Sequence, residues 1–248
     1  MSAGRDRRRM RVGFEMAIRE FVREPINVAL LVALPPVMIT SYGSMMSAFP
    51  ELSYMSTAPE TLGSIAGTLF VAAFLPGVIG LFQVISARRA DDRLALAGFP
   101  RSALFAARLL AVTLASVLTA TLSISVLSTQ TAVEAPIPAV LVLAFVGVLY
   151  GLLGMSIGTV LPRELEGSLV LIFLADMDEA LASGIVDTDS PLTKLFPLHY
   201  PHEVFQAAVD GSPIALGDVL AASLYGVVLS VVTLGAYEAV TARGGEGR

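Results

Sequence analysis

The chain has 248 residues, 55% of them hydrophobic and 15% charged, with a mean hydropathy of +0.75 and a net charge of −5. Apolar content this high excludes an ordinary soluble domain and makes the bilayer the solvent. Cysteine is absent, which excludes disulfides, thiolate metal sites and thiol nucleophiles together, and fifteen of the sixteen basic residues are arginine, Lys194 being the one lysine.

The first element is polar. Seven arginines lie between Arg5 and Arg23, and over 12–24 the apolar residues Phe14, Ile18, Phe21 and Val22 recur at i, i+4, i+7 and i+8. Glu15, Arg19 and Arg23 take the other faces, with Glu15 and Arg19 spaced for an i,i+4 pair. This pattern predicts a helix lying in the membrane interface, either as a solvated lead-in to the first span or as a docking element for a partner. Pro25 marks the turn into the membrane, because it disfavours helical geometry at Glu24. A cleaved signal peptide is not expected: the polar lead is long, Pro35 and Pro36 interrupt the apolar run, and no A-x-A-like site follows.

Apolar spans are predicted over 26–44 and 61–86, the second opening with a small-residue pair, Gly63 and Gly67. Between the second and third spans, 88–101 reads Arg-Arg-Ala-Asp-Asp-Arg-Leu-Ala-Leu-Ala-Gly-Phe-Pro-Arg. Asp91 or Asp92 is expected to cap a short helix there, Gly98 to end it in the left-handed conformation, and Ser102 to cap the next span after the Pro100 break. Arg93 and Leu94 fall within that helix, with charge at one end and Phe99 at the other. A bare topogenic loop would need neither the carboxylates nor the apolar tip.

The third and fourth spans are predicted over 103–128 and 138–161. In the fourth, Gly147, Gly151, Gly154 and Gly158 share one helix face, a groove that admits another helix backbone to backbone. Packing within the subunit is the default expectation, and a contact between subunits or a moving contact the alternative.

Only nine residues, 167–175, stay apolar in the fifth stretch before Asp176, Asp178 and Glu179 appear. Its crossing is argued from charge. With six crossings, 166–177 among them, and both termini inside, every basic residue except Lys194 is cytoplasmic, as the positive-inside rule expects. The acidic end of the fifth span then reads as a solvated helix end, opening into an external segment over 178–217 with short helices, before the last span at 219–237. The fold class expected is thus all-α, a polytopic protein of the plasma membrane with about six transmembrane helices.

Gly154-Met-Ser-Ile-Gly158 matches G-x-S-x-G, yet a serine nucleophile needs a base within hydrogen-bond reach. The only histidines, His199 and His202, precede the last span on the outer side, whereas Ser156 lies about 27 Å from that end of its helix. No catalytic residue is assigned. His199 and His202 with Glu203 are suitable ligand types for a metal, but Pro201 between them reads as the first turn of a helix, so no metal site is expected. A P-loop needs glycine ahead of its lysine, and Lys194 follows threonine. The chain carries no ATP-hydrolysing motif of that kind.

In order and topology, these elements resemble the membrane subunit, or permease, of an ABC transporter of the type-2 exporter family. The likeness runs from the interfacial helix, through Asp91-Asp-Arg-Leu-Ala-Leu-Ala-Gly-Phe-Pro-Arg-Ser102, to the short fifth span and Phe196-Pro-Leu-His-Tyr-Pro201. The resemblance implies that about 12–24 and 88–101 dock on a separate ABC ATPase subunit, 88–101 as the coupling helix. Phe14, Arg19, Arg23, Asp91, Asp92, Arg93, Leu94 and Phe99 would be the docking residues. It also implies a homodimer or heterodimer of permease subunits in membrane lipid, with spans one, two and five lining the dimer interface and substrate path, and with no cofactor, enzymatic activity or nucleic-acid partner of its own. A secondary transporter or channel would be expected to show ionisable residues at mid-membrane or two related halves, and the spans show neither. A non-transporting anchor subunit is the other alternative.

Overall fold

The computed structural model describes residues 25–50, 58–96, 98, 100–183 and 191–246. Seven α-helices and a 3-10 turn make up the described chain: α1 (Pro25–Met46), α2 (Pro59–Leu96), α3 (Arg101–Leu127), α4 (Pro136–Val160), α5 (Glu164–Ala182), the turn Pro191–Leu195, α6 (His199–Asp210) and α7 (Leu216–Glu246). There is no strand among the described residues. Five helices, α1 to α4 and α7, are long and apolar enough to cross a bilayer. The chain is a polytopic, all-α membrane protein.

A helix is forced on these segments because a backbone in hydrocarbon must satisfy its own N–H and C=O groups. Pro35 and Pro36 in α1 and Pro76 in α2 withhold donors within otherwise regular helices. In α1 the Thr40 hydroxyl also donates back to the Pro36 carbonyl one turn earlier, at 2.5 Å.

Helix α2 is the centre of the bundle, with 78% of its apolar stretch buried against 11% for α7. Leu69, Val71, Ala73 and Leu81 of α2 are buried with Leu143, Val146 and Tyr150 of α4 and Leu171 of α5. The outer face of α7 presents Leu220, Leu224, Val227, Val228, Val231 and Val232, as a lipid-facing helix should.

The expected N-cap at Asp91 or Asp92 is not there. Helix α2 runs unbroken through both residues for 38 residues, about 57 Å, and leaves its apolar stretch at Arg88. Aspartate inside a helix costs only a few tenths of a kcal/mol relative to good formers, too little to stop a helix already nucleated by a 30-residue apolar stretch. The other end signal holds: Gly98 has φ +83°, the left-handed conformation that lets the chain reverse. Ser102 is not a cap either, since α3 already begins at Arg101 behind Pro100.

Helix α5 extends well past its nine apolar residues to 19, yet it does not join the five apolar crossings. It packs against α2 and α6 instead. Glu134 and Ala135, just before α4, donate their backbone N–H groups to the Val209 and Ala208 carbonyls at 3.1 and 2.9 Å, which fixes the end of α6 at the Pro136 end of the bundle. The start of α6 lies deep, where the Leu198 N–H reaches the Asp178 carboxylate. Gly211, at φ +71°, then turns the chain toward α7.

Candidate functional site: a buried polar joint between α5 and α6

Of the residues assigned to ATPase docking, Phe14, Arg19, Arg23 and Phe99 lie outside the described residues, as do the side chains of Asp91 and Asp92. Arg93 and Leu94 are exposed on the part of α2 that projects past its apolar stretch. Arg88, at that boundary, donates to the Gly158 and Thr159 carbonyls at 2.8 and 3.1 Å, and so covers carbonyls that the end of α4 leaves without helical partners.

The glycine groove packs within the subunit. A Cβ at Gly154 would overlap the Gly77 carbonyl, one at Gly80 would overlap the Gly151 carbonyl, and one at Gly147 would lie 2.6 Å from Ser116 Oγ. Gly158 faces the Leu81 carbonyl at 3.0 Å. Thus α4 lies backbone to backbone on α2, the two running in the same direction, with α3 closing over the groove through Ser116 and Val112. Gly63 and Gly67 repeat the device at a smaller scale, against Tyr42 and Met38 of α1. Ser156, the centre of the G-x-S-x-G match, shares a 2.8 Å hydrogen bond with Thr233 of α7 and has no imidazole beside it.

The joint between α5 and α6 is where sequence reasoning misplaced charge. Asp176 is exposed, but Asp178 and Glu179 are 0% and 2% exposed, so the acidic end of α5 is not a solvated helix end. Helical geometry supplies the reason: Asp178 and Glu179 continue the face of Leu171 and Ala175 that packs inward, while Asp176 points away from it. His202 of α6, 4% exposed, places Nδ1 3.4 Å from Glu179 Oε1. Tyr150 of α4 donates its hydroxyl to Asp178 Oδ2 at 2.5 Å, and the Leu198 N–H donates to the same oxygen at 3.0 Å. Tyr42 of α1 donates to Asp176.

Depth follows from the register of α5 on α2. Gly167 sits against Leu81 and Leu171 against Gly77, so continuing the antiparallel register brings Asp176–Glu179 to about residues 69–72 of α2. Tyr42, which bonds Asp176, stacks on Phe70 with ring centroids 5.7 Å apart and places the carboxylate at the same level. That level falls within the apolar run 61–86, in the half nearer residue 61. Ionisable groups are therefore buried inside the apolar bundle, where hydropathy of the spans gave no sign of them.

His199 is not part of this joint; its ring lies edge-on to Tyr200 at 4.9 Å. Pro201 falls in the first turn of α6, as its position predicts. No group of three or more metal-ligating side chains occurs among the described residues. What would have flagged the joint is a mismatch of lengths: an apolar run too short to cross, ending in carboxylates, in a chain whose only histidines lie in the next helix. No protein-family model matches the chain, and no curated protein matches it in sequence.

Proposed function

We propose that this chain is the membrane-spanning permease subunit of an ABC exporter, transmitting force from a separate ATPase subunit to a substrate path rather than hydrolysing ATP itself. The observation that carries this reading is the projection of α2. From Arg88 to Leu96 the helix continues about 12 Å past its apolar stretch, exposes Arg93 and Leu94, and ends at the left-handed Gly98. A rigid lever rooted in the most buried helix of the bundle is suited to pass a push at its tip to the core, since packed interfaces shift as units. The working unit would be two permease subunits and two ATPases in the plasma membrane, with both termini and the α2 projection cytoplasmic.

The test is capture and its loss. Tagged full-length chain, solubilised gently, is expected to bring down an ABC ATPase in near-equal amount, and Leu94→Asp with Arg93→Glu to lose it while the chain stays monodisperse. Wild-type chain that purifies without an ATPase overturns the reading. Orientation is checked separately: in this cysteine-free chain, Asp187→Cys should react with an impermeant maleimide on intact cells and Arg243→Cys should not.

A second reading, a secondary transporter, gains support from the buried Asp178, Glu179 and His202, because ionisable groups buried among membrane helices commonly mark ion pathways. Proteoliposomes of the chain alone that dissipate an imposed pH gradient would favour it.

A further inference from the structure

The charges in the α5–α6 joint do not balance. Asp178 and Glu179 are both buried, and among the described residues the cationic group acting on them is His202. The other elements packed around the joint bring no second cation. Helix α2 has no ionisable residue between Glu60 and Arg88. Tyrosines come from α1 (Tyr42, on Asp176), α4 (Tyr150, on Asp178) and α7 (Tyr225, near Asp178). On α5 and α6 the neighbouring Asp176 and Glu203 are acidic and exposed, and Lys194 on the preceding turn is exposed too. Fully ionised, with His202 charged, the buried trio would carry one net negative charge, which a low-dielectric interior penalises heavily.

Unsatisfied atoms point to what is missing. Oε2 of Glu179 and Oδ1 of Asp178 are buried without a hydrogen-bond partner among the described residues, and the one contact of Glu179 Oε1 with His202 Nδ1, at 3.4 Å, is an ion pair without hydrogen-bond alignment. An extra proton, on Asp178 or within the Glu179–His202 pair, brings the three buried groups to neutrality. A metal cation is not favoured here, since no group of three or more metal-ligating side chains converges among the described residues.

We propose that Asp178, Glu179 and His202 form a proton-binding site, two protons shared among three groups, that holds α6 against α5 and loosens when one proton leaves. The site does not depend on which energy source drives the protein. Its consequence is that the joint between α5 and α6 is a pH-sensitive latch: the departing proton passes to water, and the negative charge left behind favours a more hydrated, parted arrangement.

The experiment follows thermal unfolding of the purified full-length chain in detergent over roughly pH 5.5 to 8.5, together with amide exchange at Leu198 and along α6. Folded chain holding protons that unfolded carboxyls release above about pH 4 must lose stability as pH rises, by up to about tenfold in the unfolding equilibrium per pH unit for each such proton. Wild type is expected to show this slope, Glu179→Gln to flatten it, and Asp210→Asn, at the exposed far end of α6, to keep it. Leu198 exchange, corrected for intrinsic base catalysis, should rise with pH in wild type. Equal slopes in wild type and Glu179→Gln overturn the proposal, as does a shift that follows sodium at fixed pH. Should Glu179→Gln fail to fold, wild-type exchange decides alone, and a pH-independent Leu198 overturns it.

Discussion

The seam between α2 and α4 and the joint between α5 and α6 hold one bundle by opposite means. Along the seam, affinity comes from removing side chains until backbones touch at Gly77, Gly80, Gly151 and Gly154. At the joint, two shorter helices are tied by polar and charged side chains: Asp178 to Tyr150 and to the Leu198 N–H, Glu179 to His202. The first contact cannot be adjusted without breaking it. The second changes strength with a single proton, which makes it the part of the fold suited to move.

The sharpest way to break this contrast is to add atoms to the seam. Gly154→Val is expected to destabilise by about 3 kcal/mol or more, because its Cβ would overlap the Gly77 backbone carbonyl, which has no rotamer to escape into. Gly235→Ala in α7 meets nothing within 4 Å and should be neutral or stabilising by up to about 1 kcal/mol through helix propensity. Thermal unfolding of the two variants in one detergent gives the comparison; equal midpoints would mean the seam is not tight.

The joint is tested by subtraction. Asp178→Ala leaves the Tyr150 hydroxyl and the Leu198 N–H buried without their acceptor and is expected to cost about 3 kcal/mol. Asp178→Asn keeps an acceptor oxygen for both donors and should lose only about 1 kcal/mol. If both variants unfold at the wild-type temperature, the joint contributes nothing to the fold.

Much of the seam was legible in the sequence and little of the joint was. Glycines spaced on one face of α4 announce a groove, because helical periodicity alone puts them there. Five crossings likewise follow from hydropathy. Three misplaced features share a cause. Asp91 and Asp92 read as a cap, Ser102 as another, and Asp178 with Glu179 as a solvated end, because local preference assigns short polar residues to helix boundaries. A different term won in each case: the apolar length behind α2, the nearer Pro100 that starts α3 at Arg101, and the packed face of α5 that carries Asp178 and Glu179 inward. Pairings such as His202 with Glu179 join residues far apart in the chain and leave no local pattern.

A smaller effect is expected where the seam reaches the end of α4. Arg88→Gln removes the guanidinium from the Gly158 and Thr159 carbonyls and should cost about 1 kcal/mol, since a cation at a helix C-terminus also opposes the helix dipole. Arg88→Lys keeps the charge but not the planar fork, and should recover part of that loss. Recovery to the full wild-type midpoint would show that charge alone matters here.

The smallest effect belongs to Ser156. Its hydroxyl shares a hydrogen bond with Thr233, but Thr233 also donates to the Leu229 carbonyl at 2.8 Å, so Ser156→Ala leaves no buried group stranded. Hydrogen bonds between membrane helices average about 0.6 kcal/mol, and a double-mutant cycle with Thr233→Val should return a coupling of that size. The same variant decides the G-x-S-x-G match. With a threonine rather than an imidazole at its hydroxyl, Ser156 has no base to activate it, and an activity-based fluorophosphonate probe should leave the wild-type chain unlabelled. Labelling that disappears in Ser156→Ala would instead make this hydroxyl a nucleophile and move the functional centre from the joint to the α4–α7 contact.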